Sequence, residues 1–512
     1  MERAPWAFER EFTSGGALVI FFAGRRMPNN VLSQVNESRM ESRPVSRFTG
    51  LRVHFIGIGG CGMSGLANVL LDSGAIVTGS EPQPNSQTFD LIQRGVTISR
   101  DQLGELLSAE VDLVVRTAAV PDHNPEYKAA ARYNLNTIKY ADLLGQVMAE
   151  RYGIAVAGTH GKSTTTAMIS YALLQCGADP SFVIGGTVPQ LGGGSRSGHG
   201  KSFVVEACEF DRSFHKLFPT VAIITNVEED HLDCYSGIDD IIQSFNDFAK
   251  RVPANGLILA NGQDGNVERS LAGITSRIER IGLIEMSDLP QVSPTKLDWH
   301  TRITGIENGC HCGEVYHKGW AVATLKLSVP GRHNLFNATM AVAACVAAGA
   351  SAEAAATAVS NFTGVDRRMT EVGHCNGAVV VDDYGHHPTE IRATLAAIRE
   401  KYQPDRLFCV FQPHQHSRTR FLLDDFAASF AAATETIVPD IYFVRDSEAE
   451  KQRITSAELV ERIIDHGQDA RHIARLVEIP AYLREKLRGG DVIVTMGAGN
   501  VWEIGRELVN HP

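Results

Sequence analysis

The sequence predicts an α/β protein of three domains, each built on a mainly parallel sheet. Three observations carry this expectation. Short runs rich in Val and Ile alternate with longer helix-compatible stretches, the pattern of parallel strands covered on both faces. The runs fall into three groups, and 512 residues suit three domains at roughly 150 residues each. A content of 44% hydrophobic and 21% charged residues lies near the globular average, which excludes whole-chain disorder, a collagenous repeat and a coiled coil.

The elements follow in chain order. The apolar run over residues 17–23 is far below the ~20 residues that span a bilayer. Glu2, Glu9 and Glu11 outweigh Arg3 and Arg10 around its start, against the charge order of a signal peptide. Residues 27–50, rich in Asn, Ser, Arg and Pro without a period, read as a flexible tail. Order is therefore expected from Leu51, with residues 1–50 a disordered or non-native extension and Met27 or Met40 as candidate starts. Strands are expected at 53–56, 75–78 and 111–115, before the segment at 141–150. A second group lies at 154–157, 203–205, 221–224 and 256–259. Pro and Ser then rise over 287–299, alternation over 305–329 suggests a small antiparallel insertion, and an Ala-rich helix is expected over 337–350. The third group lies at 378–381, 407–411 and 492–495. Domains are thus drawn at 51–149, 150–364 and 365–512.

Charge and cysteine usage narrow the function classes. Lys plus Arg number 48 against 59 Asp plus Glu, a net charge of −11, which argues against a general nucleic-acid or anionic-membrane binder. An anionic ligand must be held by local groups. Nine Cys are odd in number and scattered, so a disulfide framework is not expected and a reducing cytoplasm fits. The close pair Cys310 and Cys312 lacks a second Cys pair and reads as a turn rather than a metal site.

Two glycine-containing turns carry the chemistry. Gly57, Gly59 and Gly62, with Gly60 between them, follow a strand and precede a helix that opens with Met63 and Ser64. Such a Rossmann-like turn lets helix N-terminal N–H groups face a diphosphate, and Glu81 sits where a ribose-binding acid would. A tight turn without ligand remains the alternative. At Gly158, Thr159, His160, Gly161, Lys162, Ser163 and Thr164 a strand enters a P-loop-like segment. Backbone N–H groups there would cradle phosphates, Lys162 would reach the β and γ oxygens, and a hydroxyl would meet Mg²⁺. Val156 replaces the first glycine of the standard eight-residue pattern. Glu206, Glu209, Asp230, His231 and Asp233 follow later strands, whose carboxyl ends converge on one crevice. Oxygen ligands suit Mg²⁺; solvated loop charges are the bland reading.

Six motifs in order resemble the Mur ligases: GIGGCGMSGLA at 57–67, GTHGKSTTT at 158–166, GRHNLFN at 331–337, DDYGHHPTE at 382–390, FQPHQHSRT at 411–419 and GAGNV at 497–501. The resemblance runs from Leu51 to the C-terminus, and its details look like the branch that joins L-alanine to UDP-N-acetylmuramate. It implies a UDP-sugar-binding first domain, with Gly57, Gly59, Gly60, Gly62, Met63, Ser64 and Glu81 on that substrate. It implies a central P-loop ATPase-like domain and a C-terminal, dinucleotide-fold-like domain that closes over ATP and carries the amino-acid site. Lys162 would neutralise the phosphates, with Ser163 and Thr164 in the phosphate and Mg²⁺ shell. Glu206 and His231 would be metal ligands. His333, Asn334 and Asn337 would stand on the adenine side, and Arg367 would lie near the phosphates. Asp382 or Asp383 would reach the ATP ribose, and His387, His414 and Arg418 would orient the alanine and the acyl group.

The partners this resemblance implies are UDP-N-acetylmuramate, L-alanine and ATP with Mg²⁺, in a cytoplasmic monomer or homodimer without membrane insertion. Two departures stand out. Gln415 replaces a frequent Arg, and Cys208 replaces the Asp of the commoner Glu-Ala-Asp-Glu, leaving Glu209 and Asp211 unassigned. Competing readings are a peptide-recycling ligase on the same sugar nucleotide, an NAD-dependent oxidoreductase, a P-loop switch and a non-enzymatic paralogue.

Overall fold

A computed structural model of the protein describes residues 46–117, 120–285, 296–444 and 446–511. Residues 1–45 of the expected extension over 1–50, and residues 287–295 of the Pro- and Ser-rich stretch over 287–299, lie outside the described residues. Packing begins ahead of Leu51, because Phe48 is buried in the first hydrophobic core.

The first sheet comprises β1 (Arg52–Ile56), β2 (Ile76–Ser80), β3 (Thr97–Ser99), β4 (Leu113–Arg116) and β5 (Thr137–Lys139), all parallel in the order β3-β2-β1-β4-β5. Strand order reverses at β1, so the turn after it opens at a topological switch point, where open α/β sheets bind ligands.

The second sheet has ten strands: β6 (Tyr152–Ala157), β7 (Ser181–Val188), β8 (Gly193–Arg196), β9 (Ser202–Glu206), β10 (Val221–Ile224), β11 (Leu257–Asn261), β12 (Arg277–Ile284), β13 (Trp299–Glu307), β14 (Cys310–His317) and β15 (Trp320–Lys326). Their order is β15-β14-β13-β12-β11-β10-β6-β9-β7-β8, parallel through the middle and antiparallel at both edges. The expected antiparallel insertion is the β13–β15 meander. Cys310 and Cys312 lie within β14 and are buried, which corrects the turn expected there: the turn is the preceding Asn308–Gly309 pair, where both residues have positive φ. Period-two alternation explains the central strands. Ile154 and Val156 pack on one face with the helices Lys162–Gln175 and Arg332–Ala347, while Ala155 and Ala157 pack on the other with Phe245 and Phe248.

The third sheet comprises β16 (Thr370–Cys375), β17 (Ala378–Asp383), β18 (Leu407–Phe411), β19 (Glu435–Val438), β20 (Ala470–His472) and β21 (Val492–Met496), in the order β16-β17-β21-β18-β19-β20 with only β16 antiparallel. The helix Tyr140–Met148 joins the first two layers: Leu143, Leu144 and Met148 share one core with Phe214 and Leu217. No helix among the described residues is long and apolar enough to cross a membrane.

Candidate active site

The phosphate loop is shaped by two glycines in backbone conformations that L side chains rarely adopt, Gly158 (φ 142°) and Gly161 (φ 79°). A Cβ on Gly158 would overlap Thr225 Oγ1. Beyond the loop, the helix Lys162–Gln175 presents its N-terminus, where unpaired N–H groups and the helix dipole favour an anion. Lys162 Nζ donates to Gly158 O at 2.6 Å, Thr159 O at 3.0 Å and Glu209 Oε1 at 3.0 Å. Ser163 Oγ donates to Glu206 Oε2 at 2.8 Å, and the same oxygen accepts Gly185 N at 2.8 Å.

These groups are strongly coupled. Burial opposes charge on Lys162, but Glu209 and its acidic neighbours more than offset it and raise the ammonium pKa. Burial likewise opposes ionisation of Glu209, and Lys162 and His231 together pull its pKa down. His231 Nε2 lies 3.5 Å from Glu209 Oε1. Its Nδ1 is buried without a hydrogen-bond partner. Asp230 pairs with Arg418 of the third layer at 2.8 Å, both side chains almost fully buried. Arg418 and Asp230 line one cleft with Lys162, Glu206, His231 and His414.

A second cleft adjoins the first and is lined by His160, Ser163, Thr164, His333, Asn334, Asn337 and Asp383 among others. The phosphate loop and the helix Arg332–Ala347 meet here, since a Cβ on Gly161 would lie 2.8 Å from Asn337 Oδ1.

Comparison with known proteins places this geometry. Residues 52–152 match the Mur ligase family catalytic domain, residues 156–345 the Mur ligase middle domain, and residues 367–499 the Mur ligase glutamate ligase domain. The UDP-N-acetylmuramate–L-alanine ligase of Caldanaerobacter subterraneus subsp. tengcongensis is 41% identical over 460 residues, covering 90% of this chain and 97% of the relative. The chain belongs to the Mur ligase family. Among solved structures, the UDP-N-acetylmuramate-alanine ligase of Thermotoga maritima matches with a TM-score of 0.72 at 26% identity, covering 90% of this chain and 98% of that one. A murein peptide ligase from Psychrobacter arcticus matches with a TM-score of 0.65 at 27% identity and the same coverages.

Within this Mur ligase the structure separates pairs that the sequence left together. Asp382 accepts from Arg367 Nε at 3.0 Å and Thr495 Oγ1 at 2.8 Å, so it holds Arg367 in the cleft wall. Asp383 instead lines the second cleft, accepting from Met369 N at 2.8 Å and Gly385 N at 2.7 Å. Burial pushes the Asp383 carboxyl up to about 6, against the pull of Arg368. His386 lines the cleft of Lys162, and burial lowers its pKa to about 3. His387 does not line either cleft; it caps the helix Pro388–Tyr402 and reaches Glu229 O at 3.1 Å.

The first glycine turn lies apart from both clefts. Gly57 N and Ile58 N donate to Ser80 O, and Gly59 N donates to Glu81 Oε2 at 3.0 Å. Gly60 is exposed, Gly62 abuts the Tyr140 hydroxyl, and Met63 and Ser64 are buried. A Cβ on Gly65 would lie 2.6 Å from Ser195 Cβ, so the following helix packs against the β7–β8 hairpin, whose Gly185 and Gly186 line the Lys162 cleft. Asn226, Asn261, Arg368 and Glu390, which the sequence did not single out, all line the second cleft. The two asparagines follow or end sheet strands, a signal that could have found them; Arg368 offered none beyond its neighbour Arg367. Glu209 and Asp211, unassigned from sequence, pair with Lys162 and Lys139. Gln415 is buried beside Asp230 and Arg418.

Proposed function

We propose that this Mur ligase joins L-alanine to the carboxylate of UDP-N-acetylmuramate, converting ATP to ADP and phosphate through an acyl phosphate, in cytoplasmic peptidoglycan precursor synthesis. The observation that carries the reading is the single cleft that unites Lys162 of the phosphate loop with the Asp230–Arg418 pair bridging the second and third layers. The names of the relatives at about 40% identity support the substrates.

In this reading residues 51–149 bind the sugar nucleotide, 150–364 bind ATP, and 365–512 supply the amino-acid site. A carboxylate is a poor acyl donor, so transfer of the γ-phosphoryl group creates a leaving group before the amine attacks. Lys162 exchanges its contacts with the loop carbonyls for the phosphates and stabilises charge on the transferring group. His333, Asn334 and Asn337 border the base, and Asp383 borders the ribose. Arg367, fixed by Asp382, and Arg418, fixed by Asp230, offer guanidinium groups to the anionic intermediate. His386 and His414 line the place where alanine meets the acyl group.

The residues present fit Mg²⁺. Ser163, Glu206 and Glu209 offer oxygen donors, and His231 offers an orphaned buried nitrogen. When bound there, the cation screens the phosphates and the substrate carboxylate from one another. The murein peptide ligase likeness keeps peptide transfer as the second reading. Phosphate release from Mg²⁺-ATP, with UDP-N-acetylmuramate and each amino acid in turn, separates them. Release that needs L-alanine, with a product heavier by one alanine residue, supports the first. Release with a peptide but not alanine replaces it with the second.

A further inference from the structure

Where the second and third sheets face one another, three potential metal ligands meet to which the proposed reaction assigns no step, and two of them, His160 and Glu228, also line the second cleft. His160 stands in the phosphate loop, Glu228 follows β10, and His387 precedes the helix Pro388–Tyr402; one ligand atom from each lies within 4.8 Å of the others. Glu228 Oε2 is 3.5 Å from His160 Nε2 and 3.8 Å from His387 Nδ1. Tetrahedral coordination with bonds near 2.0–2.1 Å separates neighbouring ligand atoms by about 3.4 Å. The observed spacings to Glu228 therefore need only a few tenths of an ångström of adjustment.

The outer contacts orient both rings. His160 Nδ1 faces Glu390 Oε1 at 3.4 Å, while its Nε2 is buried with no hydrogen-bond partner. His387 Nε2 faces Glu229 O at 3.1 Å, which directs its Nδ1 toward Glu228; Thr389 N donates to that Nδ1 over a long 3.3 Å. A carboxylate or carbonyl behind each ligating imidazole is the arrangement that fixes tautomer and ring direction at zinc sites. The Glu228 side chain is 33% exposed, so an ion has an entry path.

We propose that His160, Glu228 and His387 form a site for a borderline dication such as Zn²⁺, which pins the third layer to the second. Two imidazoles and one carboxylate suit zinc over magnesium and leave one position open. The site draws ligands from both sides of the cleft, so occupancy resists the opening that product release requires. A proton shared among His160, Glu228 and Glu390 is the competing occupant.

The test uses the full chain without nucleotide, in excess Mg²⁺ to fill oxygen sites, titrated with Co²⁺ as a spectroscopic zinc probe. The expected result is one four-coordinate cobalt, by its d–d absorption, without a thiolate charge-transfer band, displaced by one equivalent of Zn²⁺. Glu228→Gln and His387→Gln should each weaken uptake by about tenfold or more, and Glu390→Gln, behind His160, by about tenfold. Unchanged circular dichroism and a cooperative thermal transition establish that each variant is folded. A thiolate band, six-coordinate cobalt only, or uptake unchanged in folded His387→Gln would overturn the proposal. The readout is binding rather than turnover, so failure here leaves the ligase reading standing, and failure of that reading leaves this one intact.

Discussion

Lys162 is bound to its own loop and to Glu209, so its removal should affect phosphate chemistry without touching the first layer. Lys162→Ala is expected to lower kcat by about 10²–10³-fold while UDP-sugar affinity, measured by calorimetry, stays unchanged; a collapse of that affinity would refute the division of labour between layers. Asp383 makes a second prediction at this scale. Its folded pKa of about 6 exceeds the ordinary 3.8, so the unfolded chain releases the proton first and stability falls as pH rises from about 4 to about 6. The differential is roughly 3 kcal/mol. Asp383→Asn should gain on the wild type across that window and by no more above it, as read from denaturant midpoints.

At the scale of elements, close backbone approach decides what a helix can tolerate. Gly145, in the helix Tyr140–Met148, sits against the backbone of Lys216, and any Cβ there would overlap the Lys216 carbonyl. Gly145→Ala should therefore cost about 1–3 kcal/mol, visible as a lower thermal midpoint, despite the better helix propensity of alanine. Strand interiors such as 154–157 and 492–494 were legible because both faces are buried and the runs are continuously apolar. The short strands β3, β5 and β20 were not, since three residues with exposed positions carry no period. Cys310 and Cys312 belong to a strand that pairs on both sides, a long-range fact that local spacing does not contain.

For the whole molecule, the Asp230–Arg418 pair is an almost fully buried ion pair across the cleft. Burial works against ionised Asp230, but Arg418 holds its pKa far below the ordinary range. Arg418→Ala leaves a buried carboxylate unpaired, at a cost of about 3–5 kcal/mol to the joined arrangement. It should both abolish ligation and raise the radius of gyration measured by small-angle scattering with ATP and sugar nucleotide present. A radius equal to that of the wild type would show that other contacts suffice.

What the sequence determined by itself was the α/β class, the three sheets and the loops on which chemistry sits, because alternation of apolar runs and glycine-bearing turns are local patterns. Tertiary structure alone decided where each member of a pair is directed. Asp382 and Asp383 are adjacent on β17 and point to opposite faces, one toward Arg367 and one toward the second cleft. His386 and His387 diverge at a helix start, one to the Lys162 cleft and the other to Glu229 and the neighbourhood of His160. Arg367 stands 15 residues from Asp382 in sequence, and Glu229 stands 158 from His387; no local pattern encodes where such distant groups will meet.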